Sequence, residues 1–166
     1  VAMVDYQEEV KIGKQILARV IEAYRKIRNT LRILVANLYD FDPTIDALEH
    51  DQLQEVDHYA LARYGQVATR VLQAYDRYEF QSAVHALNHY LTVDLSAFYI
   101  DISKDRLYTL RPSSDARRSA QTTMHIIVNG LTRLLAPILP ITTDELWRNV
   151  PGTDSDSVHL ANFPSR

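Results

Sequence analysis

The chain contains no cysteine, which excludes disulfide frameworks and cysteine-based zinc sites within it. Glycine and proline are scarce. Only 4 glycines and 6 prolines occur in 166 residues, leaving long stretches free of helix breakers. Gly13, Gly65, Gly130 and Gly152 are scattered, so there is no Gly-rich phosphate-binding loop. Long apolar runs are missing as well. The most apolar stretch, Ile126 to Ile141, is broken by Asn129, Thr132, Arg133, Pro137 and Pro140 and cannot span a bilayer. Val1 to Glu8 is acidic and unlike the basic start of a secretory leader. These features predict a chain with no membrane segment that is compatible with the cytoplasm. The abrupt start at Val1, with no Met, suggests a piece excised from a longer protein.

An excess of positive charge is also lacking. The net charge of −3 argues against strong non-specific nucleic-acid binding, which runs on phosphate neutralisation. The charge is unevenly spread, however. Asp40, Asp42, Asp46, Glu49, Asp51, Glu55 and Asp57 follow one another without a Lys or Arg between them. Arg19, Arg25, Lys26, Arg28 and Arg32 form one basic cluster, opposed only by Glu22. Lys104, Arg106, Arg111, Arg117 and Arg118 form a second, with Asp105 and Asp115 among them.

What is present is helical periodicity. Leu17, Val20, Tyr24, Ile27, Leu31, Leu34 and Leu38 recur at spacings of three and four, as one stripe of a long helix. Gly13 lies near its start and Asp42-Pro43 stops it, followed by a loop to about Asp51. A second helix carries Ala60, Tyr64, Val67, Val71, Ala74 and Tyr78. After a tight break at Arg77 to Glu79, a third carries Phe80, Val84, Leu87, Leu91, Leu95 and Phe98. A fourth carries Ala120, Met124, Ile127, Leu131 and Leu134, with Ser113, Ser114 and Asp115 as cap candidates and Pro137 at its end. In the last helix, Thr142 and Glu145 have capping-box spacing, and Ile141 and Leu146 the spacing of a hydrophobic staple. It runs to about Asn149 and is closed by Pro151-Gly152. Ser157 to Pro164 reads as an extended tail, a short strand awaiting a partner. The expected fold is all-α: a bundle of four long helices plus a short C-terminal helix. Its expected organisation is a junction remnant at 1–12, the bundle at 13–152 and the tail at 153–166.

Catalytic constellations are not met. His85 and His89 lie one turn apart, but Ala86 stands where a metalloprotease helix carries its glutamate. Glu55-Val56-Asp57-His58 holds a single Glu-x-x-His, whereas di-iron bundles need two. Neither catalytic nor metal residues are expected. The basic clusters carry more. Arg25, Arg28 and Arg32 share a narrow arc of helix one and can follow a phosphate backbone with paired guanidinium bonds. Equally, Arg28 lies closest to the apolar stripe and can pair with Asp94 or Asp101. Arg117 and Arg118 stand in the opening turns of helix four, where the macrodipole disfavours cations. A bound anion, helped by Ser113, Ser114 and Gln121, would remove the conflict; alternatively Asp115 balances the terminus and both arginines point into solvent. Tyr99, Tyr108 and Trp147 are candidates to stack on unpaired bases, although aromatics at helical spacing, Trp147 above all, are more often core.

Longer strings then point to one family. Tyr24-Arg25-Lys26-Ile27-Arg28-Asn29-Thr30-Leu31-Arg32, with Ala36-Asn37-Leu38 and Asp40-Phe41-Asp42-Pro43, resembles the first anticodon-domain helix of the isoleucyl-tRNA synthetases. Phe98-Tyr99-Ile100-Asp101 with Lys104-Asp105-Arg106-Leu107-Tyr108 resembles the family's turn after its third helix, and Ala116 to Thr122 the opening of its next one. Leu135-Ala136-Pro137-Ile138-Leu139-Pro140 with Thr143-Asp144-Glu145-Leu146-Trp147 resembles the closing segment, in a run shared with valine and leucine relatives. The likeness extends from about Asp5 to Phe163 and is closest to the bacterial type. It departs at Val56-Asp57-His58-Tyr59, where Leu-Asp-Arg-Trp is common.

The resemblance implies an anticodon-binding domain of a class I synthetase that attaches isoleucine to its tRNA with ATP and magnesium. The signature motifs of catalysis, the editing domain and a zinc-bearing C-terminal module are missing, so this chain alone is not expected to catalyse or to hold a cofactor. By position, the resemblance puts tRNA binding on Arg25, Arg28, Asn29, Arg32, Lys104, Arg106, Arg117 and Arg118. Expected partners are the anticodon arm of isoleucine tRNA and the remaining domains of the synthetase, around a monomer. A scaffold bundle that only docks onto those domains, or the equivalent domain of a valine or leucine enzyme, are the alternatives.

Overall fold

The structure is a computed structural model and describes residues 13–165. The expected junction remnant at 1–12 lies outside the described residues. Helix α1 spans Lys14–Ala36, with Gly13 in extended backbone before it. Only the later part of its predicted stripe enters the core. Ile27, Leu31, Leu34 and Leu38 are buried, while Leu17 is 50% exposed. The Asn37 side chain bonds the Ile33 carbonyl at 2.8 Å as α1 ends. The chain then turns through Asp42, whose carboxylate accepts from the Thr44 amide and hydroxyl, an Asx turn set by Asp-Pro.

Helix α2, Glu55–Asp76, buries Ala60, Tyr64, Ala68, Val71, Leu72 and Ala74. It closes through Tyr78, which takes a left-handed φ of 59° and leaves its ring exposed, as the tight break requires. Next comes a single rod. Helix α3, Phe80–His89, passes without a break into a π-helical segment, Tyr90–Ile100, and then into α4, Asp101–Thr109. Tyr90, Leu95 and Ile100 recur every five residues, the span of a π-helical hydrogen bond, and all are buried. The expected turn around residues 98 to 108 is therefore helix: the wider π turn keeps an apolar face inward where a 3.6-residue period drifts off it.

Helix α5, Asp115–Leu135, is the axis of the bundle, buried on most sides. Its N-cap is Ser114, one of the predicted cap residues, whose hydroxyl accepts from the Arg117 amide. Helix α6 spans Pro140–Trp147, and here the predicted capping box fails. Pro140 starts the helix at its first position, so Thr142 lies inside it and its hydroxyl meets the Tyr24 phenol at 3.0 Å. Ile141 is 84% exposed, so no staple forms.

The tail is not a strand among the described residues. Trp147 is core, as expected, and donates its indole N–H to the Ser155 carbonyl at 2.9 Å. A short 3-10 turn, Val158–Leu160, packs Val158 with Trp147 and Ala136, while Phe163 reaches Tyr75 at 5.9 Å between ring centroids. The tail thus finds its partner in the bundle itself. No helix among the described residues is long and apolar enough to cross a membrane.

Candidate functional site

The acidic segment and the second basic cluster, apart in sequence, meet in space. Arg117 is 4% exposed, and its fork holds the Asp40 carboxylate with bonds of 2.5 and 3.0 Å. Arg118 reaches Asp46 at 3.1 Å, the Asp40 carbonyl at 2.9 Å and Gln121 at 2.8 Å. Gln121 in turn donates to Asp40 and to the Asn37 carbonyl. The anion envisaged at the start of α5 is the protein's own carboxylate, and neither arginine points into solvent. Burial pushes the Asp40 carboxyl upward, but the bonds from Arg117 and Gln121 and the charges of both arginines outweigh it, leaving it below the ordinary value.

Arg106 is engaged in the same manner. Its two terminal nitrogens meet Asp57 at 2.6 and 2.8 Å. Asp57 is fully buried and also accepts from the Tyr99 and Ser119 hydroxyls at 2.5 Å each. Tyr99 is core, so it offers no surface for a base; burial, then the facing Asp57, lifts its phenol well above the usual range. Asp57 is the residue that sequence reading missed. The one available signal was an aspartate in the first turn of a helix, a position ordinarily explained by the macrodipole. Lys104 is exposed and bonds Asp101 at 2.7 Å, and Asp94 pairs with Arg63 at 3.2 Å. Neither acid is the partner of Arg28.

Of the predicted arginines, those not tied to an internal carboxylate stand on α1. Arg25, Asn29 and Arg32 are exposed, and neither arginine has an ion-pair partner among the described residues. Arg28 makes one long contact, 3.9 Å, with Glu145 of α6. Their spacing keeps all four on one side of the helix. Beside them, α1 and α6 enclose a cleft of about 290 Å³ lined by Leu31, Val35 and Leu146, with Arg28 and Arg32 at one wall and Glu145 at the other. A second depression runs between α2 and α3, where Arg63, Arg70, His85 and His89 lie together. Tyr108 is exposed on α4. The structure thus separates the predicted site residues. Arg25, Arg28, Asn29 and Arg32 face outward together, Lys104 stands apart on α4, and Arg106, Arg117 and Arg118 are tied to internal carboxylates.

Fold and site together define a helical bundle that presents one cationic row and a small cleft beside it. The family described as the anticodon-binding domain of tRNA ligase matches residues 57–166, and this chain belongs to it. The isoleucine–tRNA ligase of Brevibacillus brevis is 48% identical over 164 residues, covering 99% of this chain and 18% of that protein. That of Moorella thermoacetica is 48% identical over 166 residues, and that of Geobacter sulfurreducens 46% over 164, with the same shares covered. The chain therefore spans about 18% of the length of these curated relatives.

Proposed function

We propose that this bundle holds the anticodon arm of isoleucine tRNA, as one part of a larger isoleucine–tRNA ligase in the cytoplasm. The family supports RNA binding, and the names of the relatives support isoleucine as the amino acid. The observation that carries the reading is the α1 row, where Arg25 and Arg32 keep their charge facing solvent while Arg106, Arg117 and Arg118 are neutralised internally. Guanidinium groups in such a row bond phosphate oxygens in pairs and set the orientation of the arm. Joining isoleucine to ATP as an adenylate, and passing it to the distant end of the tRNA, belongs to domains outside this chain. ATP and magnesium would act there, as would zinc in a C-terminal module.

The test is a titration of the chain, a monomer on this reading, with isoleucine tRNA and with a transcript of altered anticodon at two salt concentrations. Binding should weaken steeply with salt and favour the native anticodon. Equal affinity for both transcripts leaves only an electrostatic surface. A docking role beside RNA binding is favoured by Ile16, Leu17 and Ile21, which stand exposed on the first turns of α1. Co-elution with a separately expressed catalytic domain would detect it.

A further inference from the structure

The cleft between α1 and α6 has a chemistry of its own. At about 290 Å³ it lies at the small end of ligand sites, and Leu31, Val35 and Leu146 give it apolar walls suited to a flat ring. Its polar groups are asymmetric. The Thr142 hydroxyl is engaged with Tyr24, and the Asn149 amide donates to the Glu145 carbonyl at 2.8 Å. The charged group on the α6 wall is an acceptor: the Glu145 carboxylate, 69% exposed and met by Arg28 at 3.9 Å. The α1 wall offers only donors, Arg28 and Arg32.

A ring held between these walls must present N–H groups toward α6 and a carbonyl oxygen toward α1. Every RNA base can make one such bond to a carboxylate. Guanine alone carries two N–H donors side by side, N1–H and N2–H, with O6 next to them. It can therefore use both carboxylate oxygens while O6 accepts from a guanidinium. We infer that the cleft takes one unstacked guanine of the bound RNA. Glu145 accepts from its N1–H and N2–H, Arg28 donates to O6, and Arg32 holds a neighbouring phosphate. The inference rests on the RNA-binding reading above. The α2–α3 depression is less suited, since the Arg63–Asp94 pair already bridges it.

The chain is titrated with fluorescent heptauridylates carrying guanosine, inosine, adenosine, cytidine or uridine at the centre. The guanosine RNA should bind about tenfold more tightly than the uridine RNA, with inosine, which lacks the N2 amino group, in between. Glu145→Gln should remove the guanosine preference while leaving helicity and melting temperature unchanged, because the side chain is exposed. Equal binding of all five RNAs overturns the proposal. So does an E145Q chain that binds every RNA more tightly yet keeps the preference, which would show that Glu145 acts only by repulsion. The tRNA titration separates the two readings: salt-sensitive tRNA binding without guanosine preference sinks the cleft alone, whereas no binding to any RNA sinks both.

Discussion

Arg117 and Asp40 stand 77 positions apart in sequence and form a two-bond ion pair joining the start of α5 to the loop after α1. The carboxylate sits where a helix N-terminus favours an anion, and it cancels the cation that the macrodipole opposes. Truncating the arginine strips Asp40 of both guanidinium bonds and leaves the Leu107 and Pro112 carbonyls without this donor in a confined space. Arg117→Ala is therefore expected to cost about 3 kcal/mol in urea unfolding. Below the transition, its RNA affinity should match that of the parent chain. A variant that stays fully stable but binds RNA poorly would return Arg117 to the binding surface.

The same pair sets an acid sensitivity. Asp40 titrates below its ordinary value in the folded chain, so the folded state binds fewer protons than the unfolded state as pH falls. Its contribution is complete above the unfolded carboxylate value, about pH 4, and is lost as pH drops through the folded value. Between about pH 5 and 2.5 the parent chain should lose stability more steeply than Asp40→Asn. Parallel curves would show that Asp40 does not drive the acid transition.

Much of the fold was legible because core periodicity is local. The stripes on α1, α2 and α5, and the stops at Arg77 to Glu79 and Pro137, each depend on neighbours within a turn or two, whereas α1 ends at Ala36, ahead of the Asp42-Pro43 stop expected for it. The π-helical segment was not legible, since an apolar residue every four or five positions reads as an ordinary helix followed by a break. The start of α6 was misplaced because Pro140 at the first helical position competes with Thr142 as the signal. Ion pairing was hardest. Charge windows revealed where acids and bases concentrate, but only the folded chain brings Asp40 to Arg117 and Asp57 to Arg106. For the site, the α1 row could be read directly, whereas the cleft needs α6 folded against it.

Asp57 supports a further expectation. With Arg106, Tyr99 and Ser119 all converging on it, Asp57→Ala leaves a buried cation and two hydroxyls without their acceptor. The loss should be about 4 kcal/mol, larger than for Tyr99→Phe at about 1–2 kcal/mol, both from denaturant unfolding. If Tyr99→Phe costs as much as Asp57→Ala, the phenol rather than the carboxylate is the centre of the cluster.

Tyr64 lies over Gly130 of α5, so close that a methyl group there would collide with its phenol oxygen and stand 2.6 Å from the ring carbon bearing it. The hydroxyl has no hydrogen-bond partner among the described residues, and burial pushes its pKa up to about 12. Removing an unsatisfied buried hydroxyl is neutral or favourable, so Tyr64→Phe should match the parent or gain up to about 1 kcal/mol. Gly130→Ala should lose about 2 kcal/mol despite alanine's better helix propensity, because the ring must move. Tyr64→Phe should not rescue it, since the ring carbon still collides. Thermal melts of the three variants decide it, and a stable Gly130→Ala would mean the ring swings aside freely.

Salt dependence separates binding arginines from structural ones without any complex structure. Removing one cation that neutralises a phosphate should reduce the slope of log affinity against log salt by about 1. Arg25→Ala and Arg32→Ala should each do so, and should weaken binding to native and altered anticodons alike, because a phosphate bond carries no sequence information. Both side chains are exposed, so melting temperatures should hold. Arg106→Ala should show the reverse: its charge is matched by Asp57, so the slope stays and stability falls. A reduced slope in Arg106→Ala, with none in Arg25→Ala or Arg32→Ala, would move the RNA from α1 to α4 and abandon the α1 face.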